Sequence, residues 1–325
     1  MAIVTAELSI IIVNWNGGEL LRRCIDSILR APPSLPYEIV VVDNASSDGS
    51  VRWLRSSDLA DRLGGVALHV IENRDNVGFA RANNQAIAHS QGPLVFLLNP
   101  DAEVRPGALD TLAGTLRAGA DVGACGPRLL NTDGSLQPSV WRNPPTPWEI
   151  VVAGLGLWRL IPRRARGEWL LGRHWDHARR RTAPALFGAA ILVKRAVFSQ
   201  VGGFDERFHM YGEDDEWCLR ARRGRWRLVF EPSASVVHHG GQLARQRWGS
   251  LGTLRARLDA SFQFQRVCLS PLHRRANLLA TCLVAALHWV WRRLRGRPTD
   301  ETALILGTSL AALKRTGADG VEPSR

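Results

Sequence analysis

The 325-residue chain carries 42 Lys and Arg against 30 Asp and Glu, a formal net charge of +12. That length suits one large domain or two small ones with ample buried core. Its five cysteines (Cys24, Cys125, Cys218, Cys268 and Cys282) are odd in number, widely spaced and without a Cys-x-x-Cys pair, which excludes a disulfide framework or a zinc site and predicts reduced thiols in a cytoplasmic protein. Only Lys194 and Lys314 are lysines, and the arginines crowd into residues 159–166, 173–181, 220–227, 245–257 and 274–297. A basic second half implies an anionic partner: nucleic acid, diphosphate or an anionic membrane surface.

No basic region precedes the first apolar run, which argues against a secretory signal. Residues 9–14 form a β-branched strand, and Leu21, Cys24, Ile25, Ile28 and Leu29 give residues 17–29 a helical period. A strand over 38–43 ends at Asp43-Asn44, and Asp48 then caps a short helix through Val51 and Leu54. Strands are predicted over 66–71, 94–98 and 122–126, with helices over 79–89 and 106–116 between them. Continuous apolar strands alternating with amphipathic helices predict an α/β fold, a mainly parallel sheet covered by helices, with ligands at the carboxyl ends of the strands. The polar residues just past those ends are Asn14, Trp15 and Asn16, then Asp43, then Asn99 and Asp101.

No Gly-x-Gly-x-x-Gly follows the first strand and no Walker loop is present, so a standard dinucleotide or P-loop site loses its support. From Asn131 the sequence turns Pro- and Trp-rich, as an inserted or acceptor-facing region would. A strand over 189–194, an acidic helix after Gly212 and a strand over 225–230 follow, and the last 60 or so residues read as appended helices. The expected division is a 1–265 catalytic domain, with a 1–130 nucleotide-binding half and a 131–265 acceptor half, and a 266–325 helical extension. Residues 148–161 and 278–291 are apolar and bounded by arginines, and both fall short of the roughly 20 residues that span a bilayer. Their flanks suit helices lying in a membrane interface; packing on the core or in a homodimer is the competing expectation.

The chemistry concentrates in three places. Glu213, Asp214, Asp215 and Glu216 sit together at a helix start; the dipole tolerates one or two there, and the surplus suggests a carboxylate held ionised as a general base, against a solvated helix cap. Glu216 is placed to pair with Arg220 one turn on. Asp43 either meets a ligand or caps its own loop. Asp101 and Glu103 could offer two hard oxygens to a divalent cation, and His238, in a His-His pair after a strand, could add a nitrogen or serve structure alone.

Together these residues resemble an inverting, metal-dependent glycosyltransferase of the GT-A type, family 2. The resemblance is carried by Ser-Ile-Ile-Ile-Val-Asn-Trp-Asn (9–16), Glu-Ile-Val-Val-Val-Asp-Asn-Ala-Ser-Ser-Asp-Gly-Ser (38–50), Asn-Val-Gly-Phe-Ala-Arg-Ala-Asn-Asn (76–84), Leu-Leu-Asn-Pro-Asp (97–101), Gly-Gly-Phe-Asp-Glu-Arg-Phe and Gly-Glu-Asp-Asp-Glu-Trp-Cys-Leu-Arg (212–220). With Pro-Arg-Leu-Leu-Asn-x-Asp-Gly-Ser-Leu-Gln (127–137), the chain is most similar to rhamnosyltransferases of bacterial cell-surface glycan assembly. The resemblance implies that Asp43 contacts the base or ribose of a nucleotide-sugar donor, that Trp15 flanks the base, and that Arg81 and Asn84 lie near the nucleotide. It implies Mn²⁺ or Mg²⁺ at Asp101 with His238, and Asp214 as general base. Asn and Pro replace the first acids of the family's Asp-x-Asp motif, which puts more of the metal binding on Asp101.

The implied partners are a donor, with dTDP-rhamnose ahead of UDP-sugars, and a glycan or polyprenyl-linked glycolipid acceptor met at the inner face of the cell membrane. A nucleic-acid-binding protein, the rival suggested by the net charge, lacks any recognition motif. A scaffold that binds nucleotide sugars without turnover is disfavoured by the presence of Asp43, Asp101 and Asp214 together.

Overall fold

The structure, a computed structural model, describes residues 5–141, 144–240 and 242–318. The chain divides into two compact units, one made of Met1–Trp141 and Asp176–Leu243, the other of Arg142–Trp175 and Ala244–Arg325. In the first, β1 (Leu8–Asn14), α1 (Gly18–Arg30), β2 (Tyr37–Asp43), α2 (Ser50–Leu54), α3 (Ser57–Leu63), β3 (Ala67–Glu72), α4 (Phe79–His89), β4 (Leu94–Leu98), β5 (Ala102–Val104), α5 (Ala108–Arg117) and β6 (Val122–Leu130) follow in turn. After β7 (Leu136–Gln137) and β8 (Val140–Trp141) come α6 (Pro147–Gly154) and α7 (Arg163–Leu170) of the second unit. The chain returns with β9 (Arg181–Thr182), β10 (Ala185–Leu186), β11 (Ala190–Lys194), α8 (Arg195–Val201), α9 (Glu213–Arg223) and β12 (Arg227–His238). It ends in α10 (Gln242–Cys268), α11 (Pro271–Leu294) and α12 (Asp300–Ala318).

The main sheet runs β3-β2-β1-β4-β11-β6-β12-β5. Neighbours from β3 to β4 are parallel, as is β6 with β12; β11 lies antiparallel between β4 and β6, and β5 antiparallel beside β12. All seven residues of β1 are buried, as expected for a strand with both faces covered. Helix α1 turns Leu21, Cys24, Ile25 and Ile28 inward, the apolar stripe its 3.6-residue period predicts. The mainly parallel α/β expectation therefore holds.

Two differences bear on the site. The strand expected to end at Phe230 continues to His238, because a ladder irregularity between Glu231 and Ser235 absorbs Pro232, which has no N–H to donate. That extension aligns His238 with Ala102 of β5, so the turn at Asp101 and the His-His pair meet. Helix α3, unforeseen, is capped by Ser56, whose Oγ accepts from Leu59 N.

In the second unit α11 packs on α6 and α12. A Cβ on Gly154 would lie 2.4 Å from Val284 Cγ1, so glycine is what lets α6 and α11 approach so closely. Asn277 Nδ2 donates to Pro145 O at 3.0 Å. The two arginine-flanked apolar segments thus bury Leu278, Cys282 and Ala285 of α11, the packing alternative, yet leave the opposite face of that helix exposed. Among the described residues no helix is long and apolar enough to cross a membrane.

Candidate active site

The parallel strands deliver Asn14 and Asp43 side by side, as register partners at the ends of β1 and β2. Asn14 Nδ2 donates to Asp43 Oδ1 at 2.8 Å, and Ser46 N donates to Asp43 Oδ2 at 2.8 Å, so both carboxylate oxygens have protein partners. Asp43 is buried, whereas Trp15 beside it stays partly exposed. Of the two α4 residues, Arg81 is exposed and lies 3.9 Å from Glu206. Asn84 commits its amide to backbone: Nδ2 donates to Phe204 O at 2.9 Å and Oδ1 accepts from Phe204 N at 2.8 Å. With Phe79 N donating to His209 O at 2.8 Å, the segment before α9 is clasped to α4 at both ends.

That clasp leads directly into the acidic helix. Glu213, Asp214 and Glu216 are all buried, so the cluster is not a solvated cap. Asp214 Oδ2 accepts from Gly188 N at 2.8 Å and Oδ1 from Asp215 N at 2.9 Å. Glu216 takes the expected partner, with Arg220 Nε and Nη2 donating at 2.6 and 2.7 Å. Asp215 Oδ1 accepts from Trp141 Nε1 at 2.8 Å. Glu213 Oε2 is buried with no hydrogen-bond partner among the described residues.

Burial pushes the Asp214 carboxyl up, against the backbone N–H groups of Gly188 and Asp215, which favour its charged form. Glu213 is pushed well above the usual carboxylate range, by burial first and then by the charge of Asp214. Burial thus raises both carboxyls, and the backbone donors decide between them. Of the two, Asp214 keeps the charge, because it has the N–H donors; Glu213 holds the proton.

Three consecutive residues join this cluster to the candidate metal ligands. Phe187 lies edge-on to His238 with ring centroids 5.6 Å apart, Gly188 N holds Asp214, and Ala189 O accepts from Asn99 N at 2.9 Å. A Cβ on Gly188 would come 3.0 Å from Asp214 Oδ2, so a side chain there would crowd the carboxylate and push it away. Buried Asp101 and His238 face each other, with His238 Nε2 3.3 Å from Asp101 Oδ1. Glu103 is drawn off by His239, whose Nε2 lies 2.9 Å from its Oε1.

The tautomer of His238 follows from its neighbours. Gln137 Nε2 donates to Asn131 Oδ1 at 3.1 Å, which turns Gln137 Oε1 toward His238 Nδ1 at 2.6 Å. Nδ1–H therefore donates to Gln137, and Nε2 points at the Asp101 carboxylate and the Asn99 amide 3.4 Å away. Nε2 is then free to accept from the Asn99 Nδ2 amide while it faces the carboxylate. The buried Asn99 Oδ1 has no partner among the described residues, a third acceptor at the same corner. Among the described residues no group of three or more His, Cys, Asp or Glu side chains surrounds a metal-sized site. A carboxylate, an imidazole and an amide oxygen nonetheless fit a cation such as Mn²⁺ or Mg²⁺ that completes its shell with substrate phosphate.

Gln137, Phe187 and Gly188 were not singled out in the sequence. Gln137 closes a motif quoted for its resemblance, which is the signal that could have found it; Phe187 and Gly188 carry no local signature.

Residues 9–149 match glycosyl transferase family 2, and residues 174–238 match the N-terminal domain of galactosyltransferase. An N-acetylglucosaminyl-diphospho-decaprenol L-rhamnosyltransferase of Mycobacterium tuberculosis is 30% identical over 250 residues, 73% of this chain and 77% of the relative. The chain is a family 2 glycosyltransferase. Another relative, the low-salt glycan biosynthesis hexosyltransferase Agl10 of Haloferax volcanii, is 30% identical over 221 residues, 67% of this chain and 62% of its own. A mannosyltransferase of Pyrobaculum calidifontis, solved with GDP-Man and Mn²⁺, superposes with a TM-score of 0.53 at 19% identity over 98% of this transferase and 88% of that chain. The expected GT-A fold is thereby established for the transferase.

Proposed function

We propose that this transferase moves L-rhamnose from dTDP-rhamnose, with inversion, to a hydroxyl of a polyprenyl-linked glycolipid during cell-envelope polysaccharide synthesis, working at the inner face of the cytoplasmic membrane. The observation that carries the reading is Asp214: a buried carboxylate pinned by Gly188 N and Asp215 N and joined through residues 187–189 to the Asn99, Asp101 and His238 corner. The M. tuberculosis relative, by its name a rhamnosyltransferase acting on a diphospho-decaprenol lipid, supports the choice of donor and acceptor.

In this reading Asp214 takes the proton of the acceptor hydroxyl as that oxygen attacks the anomeric carbon. The bond from that carbon to the donor's diphosphate breaks, and the nucleoside diphosphate leaves with the electron pair. Glu213, protonated beside it, keeps the negative charge on Asp214. Trp15 flanks the base, Asp43 fixes the loop that receives base and ribose, Arg81 attends the nucleotide, and Asn84 holds the 203–206 segment in place. A divalent cation, Mn²⁺ or Mg²⁺, held by Asp101 and His238 with the Asn99 amide oxygen, would supply charge stabilisation for the departing diphosphate.

Thermal stabilisation by dTDP-rhamnose, UDP-sugars and GDP-sugars, each with and without Mn²⁺ or Mg²⁺, tests this. A ligand at about 100 times its dissociation constant adds about 2.7 kcal/mol to the native state. The expected result is the largest shift with dTDP-rhamnose, increased by metal. A larger shift with a UDP- or GDP-sugar overturns the donor assignment.

A further inference from the structure

The second unit contains a cavity of about 780 Å³ whose lining holds four arginines, Arg159, Arg163, Arg166 and Arg173, and no Asp or Glu. None of the four pairs with a carboxylate among the described residues, although the unit's acids include Asp259, paired with Arg255, and Glu301, paired with Arg292. Two of the arginines are fixed by stacking: the guanidinium carbons of Arg159 and Arg166 lie 4.9 and 4.7 Å from the centroid of the Trp158 ring. Arg166 also donates through Nη2 to Ile161 O at 3.0 Å, while its Nε is buried with no partner among the described residues. Burial, then Arg173 and Arg166, push the imidazole of His174 below its ordinary value, which marks the cavity as electropositive. Converging like charges raise the self-repulsion of the folded chain, and an anion bound among them removes it.

The rim differs from the floor. His288 and Trp291 of α11 line the cavity, and α11 carries an exposed apolar stripe through Leu279, Leu283, Leu287, Val290 and Leu294, spaced three and four residues apart. Trp291 belongs to both surfaces, and Arg295 and Arg297 lie over its ring at 4.9 and 5.2 Å. The cationic cavity therefore opens onto one continuous apolar helix face. Paired arginines match phosphate oxygens bidentately, and a single leucine stripe with arginines at its end matches a hydrocarbon chain entering a bilayer surface.

We propose that this cavity binds the diphosphate of a polyprenyl diphosphate, with the isoprenoid chain lying along the leucine stripe of α11. The inference rests on the lipid-linked acceptor of the proposed function and adds the site that would hold its headgroup. Four arginines suit the two phosphates of a diphosphate better than the single phosphate of a phospholipid, which needs no cavity of this size.

Flotation of the full-length protein with phosphatidylcholine vesicles tests it, in three arms: vesicles alone, vesicles with a long-chain prenyl diphosphate, and vesicles with phosphatidylglycerol at equal surface charge. Binding about tenfold stronger to the prenyl diphosphate vesicles is expected, since each lost charge-assisted pair changes an equilibrium by about that factor. The Arg163→Ala/Arg173→Ala variant should fall to the phosphatidylglycerol level while melting no lower than the parent, because it relieves repulsion in the empty cavity. Leu283→Ser/Leu287→Ser should weaken binding to the prenyl diphosphate vesicles more than to the phosphatidylglycerol vesicles. Equal binding of the parent to both lipids overturns the inference in favour of a general anionic-membrane contact, and so does binding to neither. Because no donor is present in the assay, a negative result with an intact nucleotide-dependent thermal shift removes this site and leaves the proposed transfer standing.

Discussion

The carboxyl ends of β1 and β2 and the corner around residues 187–189 use the same residue types, yet satisfy their buried polar atoms to different degrees. At the first, Asn14 Nδ2 meets Asp43 Oδ1 and Ser46 Oγ, Asn14 Oδ1 accepts from Gly17 N, and Asp43 Oδ2 accepts from Ser46 N. At the second, Asn99 Oδ1 and Glu213 Oε2 are buried and unpartnered among the described residues, while a histidine nitrogen faces a carboxylate. A saturated network holds two loops in register and contributes to stability. Unpaired buried acceptors cost stability, and they persist where something other than folding uses them. Asp43 and Asp214 each have both oxygens held by the protein, so what sets the second corner apart is the unpartnered Asn99 and Glu213 oxygens around Asp214 and Asp101.

The sharpest break of that comparison exchanges each aspartate for asparagine. Asp214→Asn removes the proposed base and should lower kcat/KM by about 10² to 10⁴, and because both its oxygens accept from backbone N–H groups it should also cost about 1–3 kcal/mol in a denaturant titration. Asp43→Asn turns an amide donor toward Asn14 Nδ2 or Ser46 N, both donors already, and should cost about 1–3 kcal/mol in a denaturant titration. Stability lost at both sites, with activity lost far more at Asp214, is the expected pattern. The reverse pattern would exchange the two roles.

A smaller effect is expected one residue removed from the candidate metal. Gln137 touches His238 only through Nδ1, so it is a positioning residue. Its loss should lower Mn²⁺ affinity by about 10- to 100-fold, the usual cost of removing the partner that orients a ligating histidine. The readout is the Mn²⁺ concentration that gives half-maximal thermal stabilisation with a nucleotide sugar. Gln137→Ala should shift it upward, and Gln137→Glu, which keeps an acceptor for Nδ1–H, should recover part of the shift. A purely structural glutamine would instead lower the melting temperature without metal and leave the Mn²⁺ midpoint in place.

Much of this was legible in the chain because it is local. Strands β1, β2 and β4 announce themselves as unbroken apolar runs, α4 begins and ends where its period says, and the Glu216–Arg220 pair follows from helical spacing alone. What was not legible depends on register between distant strands. Three-residue β5 exists because β12 pairs with it 136 residues later, Ala102 against His238, and nothing within Ala-Glu-Val announces a strand. The same pairing sends Glu103 to His239, where Asp-x-Glu spacing suggested a second metal ligand. Gln137 reaches His238 only after a hairpin aligns it with Leu129. Asn84 read as a nucleotide contact, but the backbone of Phe204, 120 residues on, takes its amide.

The finest test concerns which member of the buried acid pair holds the proton. Glu213 is raised well above the usual carboxylate range by burial, by the charge of Asp214 beside it, and to a lesser degree by Asp215. A raised value in the folded state means the native chain keeps a proton that the unfolded chain has released. That contribution is fully present below the ordinary glutamate value of about 4.3 and is lost as pH rises through the raised one. Glu213→Gln is neutral at every pH, so the variant should gain on the parent steadily as pH climbs from that value toward neutrality. Melting temperatures of the two proteins across this range give the difference directly, with groups that do not interact with Glu213 cancelling in the subtraction. Activity should change little, because Asp214 keeps both backbone donors. A difference that stays flat with pH, or a kcat loss matching that of Asp214→Asn, would move the base from Asp214 to Glu213.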